Sequence, residues 1–208
     1  MRFPGFLTFL RFLTFLACLY PAAWLGYNTW LMYQGTGGDL GINPIETLTH
    51  QTGQWALRLL LATLAITPIR RLTGWNRIIV FRRMLGLFAF FYAIIHLSIW
   101  MVFDHYFTLS TMAEDIVKRP FITMGTLSLL LMLPLALSST KWAIRKLGRR
   151  WQLLHRLVYV SAIAAVIHFL WKEKVIIDET LMYAGILAVL LAIRVAFAWR
   201  KRAARSAV

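Results

Sequence analysis

Six apolar runs, separated by short charged segments, dominate this 208-residue chain and restrict what it can fold into. A bilayer core of about 30 Å needs roughly 20 apolar residues per helix. By that ruler the spans fall near 9–32, 54–69, 83–103, 120–138, 152–171 and 180–199. The expected fold class is therefore all-α: a polytopic membrane helical bundle of about six transmembrane helices. The second run is the shortest. Thr52 and Gln54 would begin it in the interface, with Arg58 snorkelling outward, and Pro68 is expected to mark its far end because proline breaks the backbone ladder. Pro120 suits the first turn of the fourth span, where its missing N–H needs no partner. No internal repeat or low-complexity segment is readable, and the longest loops, about 34–53 and 104–119, leave no room for a soluble domain. Residues 1–208 thus read as a single bundle domain.

Composition supports the membrane reading. The chain is 60% apolar, against about 45–50% in soluble domains. Its net charge of +15 does not signal nucleic-acid binding, because the basic residues form short clusters between the runs while the aromatic residues lie inside them. Cys18 is the single cysteine. That excludes an intrachain disulfide, a thiolate cluster and the C-x-x-C-H attachment of a covalent haem. The N-terminal segment begins like a signal peptide, but Arg11 interrupts it and no A-x-A site follows, so it reads as a retained first span.

The loops set an orientation. Arg70, Arg71, Arg77, Arg82 and Arg83 lie between spans two and three. Lys141, Arg145, Lys146, Arg149 and Arg150 lie between four and five, and Arg200, Lys201, Arg202 and Arg205 follow span six. The remaining loops carry Lys118, Arg119, Lys172 and Lys174, together with all the acidic residues: Asp39, Glu46, Asp104, Glu114, Asp115, Glu173, Asp178 and Glu179. The positive-inside rule then places both termini in the cytoplasm and the acidic face outside.

An ionisable residue inside a span is costly and is a functional candidate by default. His96 and His168 both fall in the outer half of parallel spans, within roughly 6 Å of each other in depth at 1.5 Å per residue. Two neutral imidazoles from facing helices hold the iron of a b-type haem without covalent attachment. His155 lies near the cytoplasmic end. On an ideal helix its direction differs from that of His168 by about 140°, so a second haem would be clasped from another side, and the inner level offers only Met84 as a further ligand. One haem or two stays open. Arg58, on the outer side, is a candidate partner for a haem propionate, or simply a snorkelling side chain. Arg82, Arg83 and Arg156 could serve an inner haem or an anionic lipid. Gly86, Gly125 and Gly185 would admit a flat macrocycle or close helix packing. His50 reads as a polar residue at the start of span two, and His105 as a solvated loop residue. No carboxylate lies within a span, so any chemistry would belong to a bound cofactor.

Several segments carry a family resemblance: RRMLGLFAFFYAIIHLSIW (82–100), KRPFITMGTLSLLLMLPLALSST (118–140) and KLGRRWQLLHRLVYVSAIAAVIHFLW (146–171). So do HQTGQWALRLLLATLAITPIRRL (50–72) and the last span. They resemble the MsrQ (YedZ) family, within the ferric-reductase-like transmembrane superfamily. The resemblance implies a haem-binding subunit in the bacterial inner membrane. It would pass electrons from the respiratory quinone pool to MsrP, a periplasmic molybdopterin enzyme that reduces methionine sulfoxide in envelope proteins. It implies His96, His155 and His168 as the haem-associated histidines, and FMN as a further cofactor, for which no motif is readable. The reading from another class is a small transporter or scaffold whose histidines relay protons or bond across helices. Against it, the spans lack the Asp or Glu that proton carriers use.

Overall fold

The computed structural model describes residues 4–172 and 178–206; Glu173 and Lys174, counted above among the loop charges, lie outside the described residues. Within them the chain forms helices α1 (Pro4–Tyr33), α2 (Pro44–Thr73), α3 (Phe81–Ile99), α4 (Leu109–Lys118), α5 (Pro120–Leu137), α6 (Lys141–Leu147), α7 (Arg149–Leu154), α8 (Leu157–Lys172) and α9 (Asp178–Ser206). A 3-10 turn at Asn76–Val80 leads into α3, and a π-helical turn at Trp100–Asp104 continues it.

Among the described residues, five segments are long and apolar enough to cross a membrane: 5–33, 76–104, 120–137, 149–172 and 178–200. The second expected span does not pass that test on composition, yet α2 is 30 residues long and runs beside the others. It packs against α1, α3, α8 and α9 and buries Leu57, Leu59, Leu60, Leu61 and Leu64. A helix enclosed by its neighbours needs no uniformly apolar face toward lipid, so it tolerates Arg58 and several threonines. Its ends are well signalled. Asn43 accepts from the Glu46 N–H at 3.4 Å, Pro44 opens the first turn, and Gly74 closes the helix at φ 72°, the left-handed conformation that glycine adopts without strain.

Pro68 does not end this helix, contrary to the sequence expectation; α2 continues to Thr73. Proline cannot donate to the carbonyl four residues back, here that of Leu64. Arg194 of α9 supplies the missing donor: its Nη2 reaches Leu64 O at 2.6 Å while Nη1 reaches the Tyr159 hydroxyl at 2.6 Å. Pro120, by contrast, opens α5 as expected.

A side chain also enters the ladder of a second proline-containing helix. Pro21 lies within α1, and beside it the Tyr92 hydroxyl donates to Cys18 O at 2.7 Å and accepts the Ala22 N–H at 2.9 Å. The hydroxyl thus stands between two backbone groups that would otherwise bond each other, on a fully buried side chain. Tyr92→Phe should therefore cost about 1–3 kcal/mol, the typical penalty for leaving buried polar groups unsatisfied. Reversible unfolding in detergent checks this; an unchanged transition would mean that α1 re-forms its own ladder.

Cross-helix bonds fix the relative directions. Gln54, Arg58 and Leu64 of α2 meet Glu179, Tyr183 and Arg194 of α9, so these helices run parallel. Thr49 of α2 meets His96 of α3, and Phe121 of α5 meets His168 of α8, so each of these pairs is antiparallel. The most extensive packing is within α2–α3 and α5–α8. Within the second pair Ser128 and Ser161 donate to each other's carbonyls at 3.0 and 3.1 Å, a close crossing of the kind small hydroxylated residues permit.

Candidate functional site

Each of the two tight helix pairs delivers one histidine to the same place. His96 projects from α3 and its Nδ1 lies 2.9 Å from Thr49 O of α2. His168 projects from α8 and its Nδ1 lies 2.6 Å from Phe121 O of α5. A carbonyl can only accept, so both Nδ1 atoms carry the proton and each neutral ring keeps its lone pair on Nε2. Nε2 is thus the nitrogen available to ligate a metal. The two ring centres are 6.1 Å apart with planes inclined at 80°.

Glycine lets each imidazole sit so close to a neighbouring backbone. A Cβ on Gly53 would fall 3.1 Å from His96 Nδ1, and one on Gly125 only 2.7 Å from His168 Nδ1. The two arrangements repeat one another: carbonyl, glycine four residues later, histidine 47 residues after the carbonyl. Thr49, Gly53 and His96 recur as Phe121, Gly125 and His168, each 72 positions on. The sequence reading missed this internal repeat because apolar side chains fill most of the shared positions interchangeably. The signal that could have revealed it was the paired spacing of glycine and histidine.

Two imidazoles are too few for a bare ion, and among the described residues no group of three or more His, Cys, Asp or Glu could hold one. An iron that takes four nitrogens from a porphyrin needs only two axial ligands. With metal–imidazole bonds of about 2 Å, and about 1 Å more from nitrogen to ring centre, such a pair places its ring centres about 6 Å apart. The observed separation fits, and so do the tautomers.

Residues 52–166 match the family described as ferric reductase like transmembrane component. A protein of Herminiimonas arsenicoxydans, "Protein-methionine-sulfoxide reductase heme-binding subunit MsrQ", is 45% identical over 208 residues, covering 99% of this chain and 93% of its own length. The proteins of the same name from Xanthomonas euvesicatoria pv. vesicatoria and Brucella anthropi are 49% and 50% identical, over 91% and 78% of this chain and 85% and 73% of their own. The chain belongs to the MsrQ family. It is a multi-pass membrane protein with a ferric-reductase-like helical bundle.

The other candidate residues of this MsrQ-family chain are placed as follows. Arg58 donates to Tyr183 OH at 2.6 Å, Glu179 Oε1 at 3.1 Å and Gln54 Oε1 at 3.2 Å, so its guanidinium ties α2 to α9. His50, in the second turn of α2, is bonded to Lys172 Nζ and stands 4.0 Å from Glu46. His155 falls where the fifth span is interrupted, between α7 and α8. The ideal-helix angle drawn above between His155 and His168 therefore does not apply. Its ring stacks on Trp151 at 3.8 Å, and Nδ1 is 3.1 Å from Trp151 O.

The repeat also relates positions at the basic end of the two helix pairs. His155 stands 72 positions after Arg83, so the residue corresponding to it in the first helix pair is an arginine. Arg82 and Arg83 lie close enough to act electrostatically on His155. Met84 packs against the hydrophobic core. Of the three glycines singled out, Gly125 faces His168, Gly86 faces Thr63 at 3.5 Å, and Gly185 faces open space.

His105 is not a solvated loop residue. It is buried, with its ring 4.3 Å from Trp100. The Thr111 hydroxyl donates to Thr108 O at 2.9 Å, so it accepts from His105 Nδ1 at 2.9 Å, and Asp115 lies 3.2 Å from Nε2. The loop turns sharply here, with Tyr106 and Phe107 at φ 49° and 59°, an uncommon conformation for bulky residues. The turn and α4 wrap a cavity of about 660 Å³ lined by Trp100, Phe103, His105 and Asp115, among others. On the exposed side of α4, Lys118 one turn on holds the Glu114 carboxyl below the ordinary carboxylate range.

Proposed function

We propose that this chain is the haem b subunit of a methionine sulfoxide reductase system, with His96 and His168 as the axial ligands of the iron. The carrying observation is the pair of facing imidazoles, 6.1 Å apart at their centres, each with Nδ1 committed to a backbone carbonyl. Bound there, the haem would supply one-electron transfer between a membrane donor and a soluble acceptor. Thr49 and Phe121 hold the rings in orientation through their carbonyls, which also raises the basicity of each Nε2. Apolar neighbours such as Leu57, Tyr92 and Val166 keep water from the bundle interior.

The reading continues with a quinol of the bacterial inner membrane as donor and a periplasmic MsrP-type molybdopterin enzyme as acceptor. Sulfoxide reduction belongs to that partner. The arginine clusters support an orientation with both chain ends in the cytoplasm, in which the histidine pair stands on the periplasmic side. The cavity at Trp100 begins one helical turn beyond His96 and is a recess in which a donor or acceptor could dock. His155 is the candidate ligand of a second haem at the basic end, where Arg83 occupies the corresponding position of the first helix pair.

Haem and flavin stoichiometry of the purified protein tests this. One haem b per chain, with a Soret shift and an α band on dithionite reduction, is expected for the His96–His168 site alone. A second equivalent lost selectively in His155→Ala would add the inner site, and FMN would be read in the same sample. Colourless protein with a pH-dependent flux would overturn the haem reading in favour of transport.

A further inference from the structure

Lys172 is the last residue of α8 and lies one turn beyond His168, on the same face of the helix. Its ammonium meets His50 Nε2 of α2. His50 in turn follows Thr49, whose carbonyl orients His96. The Lys172–His50 contact thus bridges the two helix pairs along one rim of the slot that the facing imidazoles define. Lys172 is close enough to act electrostatically on both His96 and His168, and His50 on His96. Arg58, the basic residue expected at this level, is bound instead to Glu179, Tyr183 and Gln54.

A b-type haem carries two propionates. A carboxylate brought to the edge of a membrane bundle is costly unless a cation or hydrogen-bond donor receives it. We infer that Lys172, seconded by His50, is the positioning pair that receives a haem propionate at the rim of the His96–His168 slot. The inference rests on the bis-histidine reading above. The ammonium supplies a point charge with three donors, and His50, whose Nε2 accepts one of them, holds it in place. Together they would set the rotation of the macrocycle about the axis between the two imidazoles.

The test is transfer of haem from the purified full chain to an excess of an apo-haemoprotein, followed by absorbance. Lys172→Met should release haem b about tenfold faster than wild type, and Lys172→Arg should stay within about threefold. Lys172→Gln is the second neutral variant should the methionine variant fail to accumulate. The same chains loaded with the dimethyl ester of haem b, which lacks carboxylates, should release it at equal rates with or without Lys172. Ester haem should also leave the wild type faster than haem b does. Equal release of haem b by wild type and both neutral variants overturns the inference, as does an acceleration that persists with the ester. Either outcome in a protein that still needs His96 and His168 for haem leaves the bis-histidine reading standing. A wild type that binds no haem overturns both.

Discussion

His96→Ala and His168→Ala should each leave less than about a tenth of the wild-type haem in the purified protein. Either change removes one of two axial nitrogens and opens a space the size of an imidazole beside the slot. It also frees the carbonyl of Thr49 or Phe121 that had received Nδ1. The fold should survive, because each histidine makes one bond among the many contacts within its helix pair, and the Ser128–Ser161 crossing is untouched. Free imidazole added during reconstitution should restore part of the haem in both variants, since an apolar cavity of that shape readily takes a small ligand. Rescue separates ligation from folding: a misfolded variant would not respond. His155→Ala should keep the low-spin signal of the His96–His168 site. If both alanine variants retain full haem with an unaltered spectrum, the assignment of these two residues fails.

Most of the architecture was legible because a bilayer imposes a ruler. Span length, the loop position of the arginines and the proline at the start of α5 all follow from it. What escaped the sequence were features decided by a neighbour. Pro68 is a helix breaker by every local rule, yet Arg194, 126 residues later, donates to the carbonyl it frees. Arg58 looked like a cation in search of an anion, and Glu179 on α9 meets it. His105 sits in an acidic loop, which suggested solvent, but the turn at Tyr106 and Phe107 folds α4 back over it. The histidine pair was readable as two depths that agree, since both residues sit on outward-running helices. Their tautomers were not, because those depend on carbonyls 47 residues earlier in the chain.

The glycines beside the site should matter almost as much as the histidines, and unequally. Alanine at Gly125 would put its Cβ 2.7 Å from His168 Nδ1, a separation that real side chains do not hold. The ring cannot yield simply, because the same nitrogen is pinned to Phe121 O at 2.6 Å on the same helix. Either α5 and α8 move apart or the imidazole rotates and gives up that bond. Both outcomes misdirect Nε2 and release the tautomer. Gly125→Ala should therefore lower haem content about tenfold, or leave a haem whose low-spin electron paramagnetic resonance signal is replaced by a high-spin one. Gly53→Ala should be milder, since its Cβ would meet His96 at 3.1 Å and a shift of a few tenths of an ångström relieves it. Gly185→Ala is the control: its Cβ meets nothing within 4 Å, and alanine favours a helix interior over glycine by about 1 kcal/mol. Haem content ranked Gly185→Ala, Gly53→Ala, Gly125→Ala from highest to lowest would mean that the close approach of backbone to imidazole, rather than helix propensity, governs these positions. Loss of haem in the Gly185 variant equal to that in the Gly125 variant would instead assign the effect to bundle packing at large.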